Sequence, residues 1–373
     1  LQKKRKNTKF ASTKIVFFYN TYKKMIEELE NEYTSIPNGK AGLVERIKSG
    51  AQPSHSQTLM GIGDDAAILD YGSADTLVSN TIFAEGIHFD LTYTPIKHLG
   101  YKVVVAAISD ILAMNGTPLH VSIALAVSNK VMQQHILQFY DGVHAACQEY
   151  DLDLIGGDIT TARAGVTIAV TALGEAYDND IIYRSGAQPT DLICVTGNLG
   201  AAYMGLQLLE REKTLFNANP GQQPQLSGYD YILRRQLKPE AKTELLKYLK
   251  AKDVKPTAMI SLGSGLASEL MNICRASQMG CEIFEERIPV HPETEKMAKE
   301  FNINPIVTAL NGGEDYELLF SIPLHDYEKI KDNDFFSIIG SINKAEQGSN
   351  VVLRDGSIIP LEPSLNGQTF QNQ

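Results

Sequence analysis

Four stretches of the chain combine glycine, carboxylates and hydroxyls: GIGDDAAILD (61–70), the Ser109-Asp110 pair, IGGDITT (155–161) and NGGEDYELLF (311–320). Adjacent carboxylates beside a flexible turn, as in Asp64-Asp65, suit a hard cation such as Mg2+. A plain surface turn uses Gly-Asp pairs as well. Asp110 stands among apolar residues, where a carboxylate is costly unless paired or bound to metal; a polar residue near a helix end is the simpler reading. Gly156-Gly157-Asp158, with Thr160 and Thr161, offers N–H groups, hydroxyls and one carboxylate, the chemistry of a nucleotide-phosphate and Mg2+ site. Glu314 and Asp315 stand in a glycine turn ahead of a strand. A fifth stretch, AMISLGSGLASEL (258–270), has a glycine turn opening a helix, yet no charge before Glu269. By itself it reads as an anion cradle, a tight turn or the remnant of a metal site.

Mixed elements must position these turns. Residues 76–83 alternate as a strand does, Lys102 to Asn115 reads as a helix, and Val121 to Val127 as a strand. Met132, Ile136, Phe139, Val143 and Cys147 recur at helical spacing. Leu152 to Ile155 reads as a short buried strand ending in Gly-Gly-Asp, and Val166 to Leu173 alternates with period two. The tract 176–189 looks like a domain junction. A second unit follows: a strand over Asp191 to Val195, the Thr196-Gly197-Asn198-Leu199-Gly200 turn, a helix, a surface loop over 212–228, and the helix beginning at Leu266. Helices and strands in both halves indicate an α/β or α+β architecture.

The 373 residues suffice for two domains, and a 43% hydrophobic, 21% charged composition is ordinary for a globular protein. No apolar run reaches the length of a membrane span. Cys147, Cys194, Cys274 and Cys281 form no CxxC, which suggests a reduced, cytoplasmic setting. The eight histidines never take zinc-motif spacing. Residues 1–24 hold eight of the 34 basic residues and none of the 44 acids, so the remainder is net −18. A body that acidic is a poor nucleic-acid binder. The basic leader reads as an unstructured extension, or as residues upstream of a start at Met25. No GxxxxGK[ST] and no GxSxG occurs.

Taken in order, GIGDDAAILD, EGIHFDLTYTPIKHLGYK, SDILAMNGTP, IGGDITT, VTGNLGAAYMGLQLL, GLASELMNIC and ALNGGEDYELLF resemble the thiamine-monophosphate kinase family, within the aminoimidazole-ribonucleotide-synthetase-like superfamily. The resemblance runs from about Gly61 to Asp355. It implies a two-domain fold with mixed sheets and flanking helices, divided here as 25–180 and 181–373, and a cytoplasmic homodimer built through the N-terminal domains. It implies ATP as co-substrate, Mg2+, and transfer of the γ-phosphoryl group to thiamine monophosphate. By match, Asp64, Asp65, Asp110 and Asp158 are metal ligands, with Asp64 and Asp158 central to catalysis. Gly156, Gly157, Asp158, Thr160 and Arg184 take ATP. Glu85, His88, Glu314, Asp315 and Phe370 shape the substrate side. No nucleic acid and no membrane is implied as a partner.

The chain departs from the family pattern within one mechanistic unit. Thr81, Ser261 and Ser264 stand where the family carries aspartates, Gly263 replaces a serine, Ala107 an asparagine, Asn198 a common acid and Ile159 a hydroxyl residue. Mg2+ prefers charged oxygens plus phosphate, so fewer ions than usual and an impaired kinase are expected. A catalytically inactive paralogue, binding nucleotide or thiamine phosphate as a sensor or partner, is the alternative.

Overall fold

In the computed structural model, residues 58–362 are described, apart from 61–63, 66, 71, 73, 129 and 220–222. They lie within one compact unit, Pro53–Gln373. The basic leader, the segment after Met25 and Phe370 fall outside the described residues.

The first sheet is formed by β1 (Thr58–Met60), β2 (Ala67–Asp70), β3 (Asp75–Ala84), β4 (Thr117–Ser128), β5 (Asp153–Ala162) and β6 (Val166–Ala176), in the order β1-β2-β3-β6-β4-β5. Only β4 and β5 run parallel. Helix α2 (Gln133–Tyr150) is the long crossover that such a pair requires. Period-two alternation of apolar residues gives β6 one buried face, as read from the sequence. Helix α1 (Ile96–Ala113) packs against β3, β6 and β4. It starts six residues before the expected Lys102, directly after Pro95. Every residue from Leu99 to Ala113 except Asp110 is buried, and a helix buried all round carries little amphipathic signal from which to read its ends.

The strand expected to stop at Ile155 instead runs through Gly156, Gly157 and Asp158 to Ala162, and almost all of it is exposed. Gly157 permits this pairing: a Cβ there would lie 2.0 Å from the Ile123 carbonyl oxygen on β4.

The second sheet contains β7 (Leu192–Thr196), β8 (Ala258–Ser261), β9 (Met279–Phe284), β10 (Leu318–Ile322), β11 (Phe336–Lys344), β12 (Ser349–Val352) and β13 (Ile358–Pro360), in the order β13-β12-β9-β11-β7-β10-β8. Around it lie α3 (Ala201–Ala218), α4 (Asp230–Leu237), α5 (Thr243–Ala251), α6 (Leu266–Ser277), α7 (Pro292–Glu300), α8 (Pro305–Asn311) and α9 (Tyr327–Ile330). Residues 212–218, expected in a surface loop, continue α3. Arg211, Glu212 and Lys213 are good helix formers, and Lys213 is tied to Asp90 at 2.7 Å. Among the described residues no helix is long and apolar enough to cross a membrane.

Candidate functional site

Asp64 and Asp65 lie just before β2, and their closest cationic partner is Arg184, about 120 residues along the chain. The Arg184 backbone N–H donates to Asp64 Oδ2 at 2.9 Å, its Nε to Asp64 Oδ1 at 3.2 Å and its Nη2 to Asp65 Oδ1 at 2.7 Å. The side chains are 5% (Asp64), 10% (Asp65) and 21% (Arg184) exposed, so the clamp works largely out of water. Asp65 Oδ2 also accepts the backbone N–H of Ser261 at 3.2 Å. The turn after β8 is thereby tied to the aspartate pair.

Two further carboxylates face this pair. Asp110, on α1, accepts a hydrogen bond from Ser79 Oγ on β3 at 2.7 Å. Glu269, in the first turn of α6, accepts from the Ser264 N–H and from Asn272 Nδ2. Burial pushes the Asp65 carboxyl well above the usual carboxylate range; Arg184 opposes this, while Asp110, Asp64 and Glu269 add to it. Burial raises Glu269 as well, against the pull of Asn272, Arg184 and Ser264. Among the described residues, Arg184 is the cation felt by Asp64, Asp65 and Glu269 together. Glu269 had no role from sequence, although it was visible there as the first charge after the glycine turn. Gly265 shapes that turn: its φ is +100°, and a Cβ would lie 2.8 Å from the Leu310 carbonyl oxygen.

Two of the positions that carry hydroxyls lie at the same centre, Ser261 bonded through its N–H to Asp65 and Ser264 to Glu269. Thr81 lies on β3, where it pairs with Val170 on β6. Ser79 and Thr81 share a strand face. Asp158 is elsewhere. In register rows across the sheet, Ile82 on β3 meets Ala169, Ala169 meets Ala124, and Ala124 meets Asp158 on β5. Three strands separate β2 from β5, so Asp158 is roughly 19 Å from the Asp64 strand at the usual interstrand spacing. Gly156, Gly157 and Asp158 line an open cavity of about 450 Å³ together with Tyr140. Thr160 is exposed beside them. Among the described residues, no three His, Cys, Asp or Glu side chains gather closely enough to cage a metal.

The expected substrate-side residues divide into two groups. Glu85 and His88 sit half-buried in the turn after β3, where His88 Nδ1 accepts the Ala84 N–H at 3.1 Å. Glu314 pairs with the buried Lys102 at 2.8 Å, and Lys102 Nζ also donates to the Gln236 carbonyl at 2.9 Å. Asp315 is buried at the N-terminus of α3, where it accepts the N–H groups of Gly200 and Ala202 at 2.7 and 3.2 Å. A carboxylate there satisfies orphan donors and opposes the positive end of the helix dipole. Burial nonetheless raises Asp315 to about 6.

Residues 63–176 match the family model for the AIR synthase related protein, N-terminal domain. The thiamine-monophosphate kinase of Bacillus subtilis is 34% identical over 281 residues, 74% of this chain and 82% of the relative. The chain belongs to the thiamine-monophosphate kinase family. The family enzyme of Aquifex aeolicus is 29% identical over 322 residues, 86% of this chain and 96% of the relative. Among solved structures, AaThiL complexed with AMPPCP and TMP aligns at a TM-score of 0.73 and 28% identity, covering 87% of this chain and 95% of that one. Likeness over nearly the whole family length establishes the kinase-like fold for both sheets.

Proposed function

We propose that this chain uses ATP to phosphorylate thiamine monophosphate to thiamine diphosphate, at a rate reduced by the loss of acids at Thr81, Ser261 and Ser264. The observation that carries the reading is the buried Asp64-Asp65 pair, held by Arg184 and flanked by Asp110 and Glu269. The donor set fits a Mg2+ ion that arrives with phosphate oxygens, since such ions take one or two carboxylates plus substrate phosphates. Asp64 and Asp65 would hold it, and bound there it supplies positive charge for a transferring phosphoryl group. Arg184 provides a fixed positive charge at the same place. Gly156, Gly157, Asp158 and Thr160 border the ATP phosphates in this reading, and Glu85, His88, Glu314 and Phe370 the thiamine side. Asp315 supports them from beneath α3. The domains are taken as 25–180 and 181–373.

We take the working form to be a cytoplasmic homodimer. Its support is the exposure of Ile82, Ile155 and Ile159, and the location of Asp158 on the sheet edge remote from Asp64. A second copy packed on this sheet offers its own Asp158 to the Asp64 side.

The second reading, binding without turnover, is favoured by the neutral residues Ser261 and Ser264 beside the aspartate pair and its Glu269 neighbour. One assay decides: purified chain with ATP, Mg2+ and thiamine monophosphate, followed for thiamine diphosphate. Product that disappears in Asp64→Asn supports the kinase. ATP binding with no product, at excess protein and with Mn2+ in place of Mg2+, refutes it and leaves the binding role.

A further inference from the structure

A second polar centre lies away from the aspartate pair, between α4, the turn after β7 and the segment that leads into α5. Arg234, Arg235, Lys238 and Lys242 converge there on a cavity of about 180 Å³, against only two carboxylates, Glu240 and Glu317. Glu317 is fully buried and already engaged: it accepts from Arg235 Nη2 at 2.7 Å, from Lys242 at 3.1 Å and from Thr196 Oγ1. Glu240 is 3.9 Å from Arg234 and exposed, a weak pairing. Lys238 lies 3.8 Å from the exposed Glu149, with its ammonium 4.4 Å above the Tyr101 ring. Four cations thus line the cavity against two lining carboxylates, while Asp315, 3.8 Å from Arg235 Nη2, and Glu149 partly offset them from outside it.

Arg235 is the built part of this site. It is 7% exposed, and its Nη2 donates to Glu317 and to the carbonyls of Asn198 and Asp315. Its Nε–H is buried with no acceptor. A guanidinium has five donors in a planar fork, and an unsatisfied buried donor is destabilising. The protein thus fixes a guanidinium rigidly at the cavity wall and places three more cations around the same cavity. Tetrahedral dianions meet that arrangement best, because they bring several acceptor oxygens and two negative charges.

We propose that this cavity binds a small phosphate-type dianion, either inorganic phosphate or a phosphate monoester. Arg235 is the buried anchor and Arg234, Lys238 and Lys242 form the rim. The site stands whether or not the chain turns over ATP, since it shares no residue with the aspartate centre.

The test uses the full chain without nucleotide. Inorganic phosphate and phenyl phosphate are titrated separately by calorimetry. One saturable site is expected in the millimolar range or tighter, with affinity falling as salt rises. Arg234→Gln with Lys238→Gln removes two solvent-facing cations and should weaken binding at least about tenfold, with the ligand-free unfolding midpoint unchanged. Asp64→Asn should bind phosphate as the parent does. Preference for phenyl phosphate assigns the pocket to esters, and preference for phosphate assigns it to the free ion. No saturation with either probe overturns the proposal. So does parental affinity in the double variant, or loss of binding in Asp64→Asn.

Discussion

Replacing Asp315 with asparagine tests the electrostatic account of the turn before β10. The carboxylate is 3% exposed, accepts two N–H groups at the start of α3, and has Arg235 Nη2 3.8 Å away. Burial still dominates, with Glu317 adding repulsion, and raises the group from an ordinary 3.8 to about 6. A folded-state value above the unfolded one means that the folded chain holds the proton more tightly. The contribution to stability is full below 3.8 and is lost as pH rises through about 6. Integrated between pH 4.5 and 7.5, the difference is about 2 kcal/mol. Asparagine does not titrate, so Asp315→Asn should lack this component. The stability of the parent relative to the variant should therefore fall by about 2 kcal/mol over that interval. With an m-value of about 3 kcal/mol per molar urea, the midpoint difference changes by roughly 0.6 M. Paired urea titrations at pH 4.5, 6 and 7.5 measure it. A flat difference, or one that grows in favour of the parent as pH rises, refutes the assignment of burial as the dominant influence on Asp315.

Arg184→Gln leaves Asp64 and Asp65 without their cation and should lower unfolding stability by about 3 kcal/mol, at the lower end for a broken buried pair because Arg184 is partly exposed. Asp64→Asn should then be less damaging in that background than alone; equal damage in both would show that the two side chains do not couple. Gly157→Ala drives a methyl group into the Ile123 carbonyl and should destabilise by about 1–3 kcal/mol, read as a lower thermal midpoint; an unchanged midpoint would mean that β4 and β5 separate freely. Restoring acids together, as Thr81→Asp, Ser261→Asp and Ser264→Asp, should raise thiamine diphosphate formation at least about tenfold, given that single charge-stabilising groups are commonly worth about 10²–10³ in rate. Turnover unchanged by all three would place the limitation elsewhere.

The aspartate pair was legible because Asp64 and Asp65 are neighbours beside glycine, a local pattern. Arg184 was legible only by family match, as a residue near the ATP phosphates, and its bonds to both aspartates depend on contacts spanning about 120 residues. The strand β6 was visible from its alternation. The extent of β5 was not, because glycines usually end a strand, whereas Gly157 here enables close approach of β4. The start of α1 was missed since burial on every side erases the periodicity that marks a helix. Asp315 reads as a substrate-side residue only by family match, its local setting being a glycine turn beside Glu314. Its two N–H partners, Gly200 and Ala202, stand at the start of α3, more than a hundred residues earlier, and local spacing carries no trace of them. Glu317 and Arg235 were likewise invisible: each looks like an ordinary surface charge until the fold buries it.

Lys102 bears on how the molecule is made. Its ammonium sits inside an almost wholly apolar helix, and its carboxylate partner, Glu314, is synthesised 212 residues later. At ordinary translation speeds of about 5–20 residues per second, α1 waits roughly 10–40 s for that partner. Both partners of the ammonium, the Gln236 carbonyl and Glu314, belong to the later-made half, so α1 can dock on the first sheet with this charge still facing water. Arrival of the second half then buries the ammonium and supplies its carbonyl and carboxylate acceptors in the same step. Lys102 thus works as a latch between early-made and late-made parts of the chain, set only when synthesis has passed Glu314.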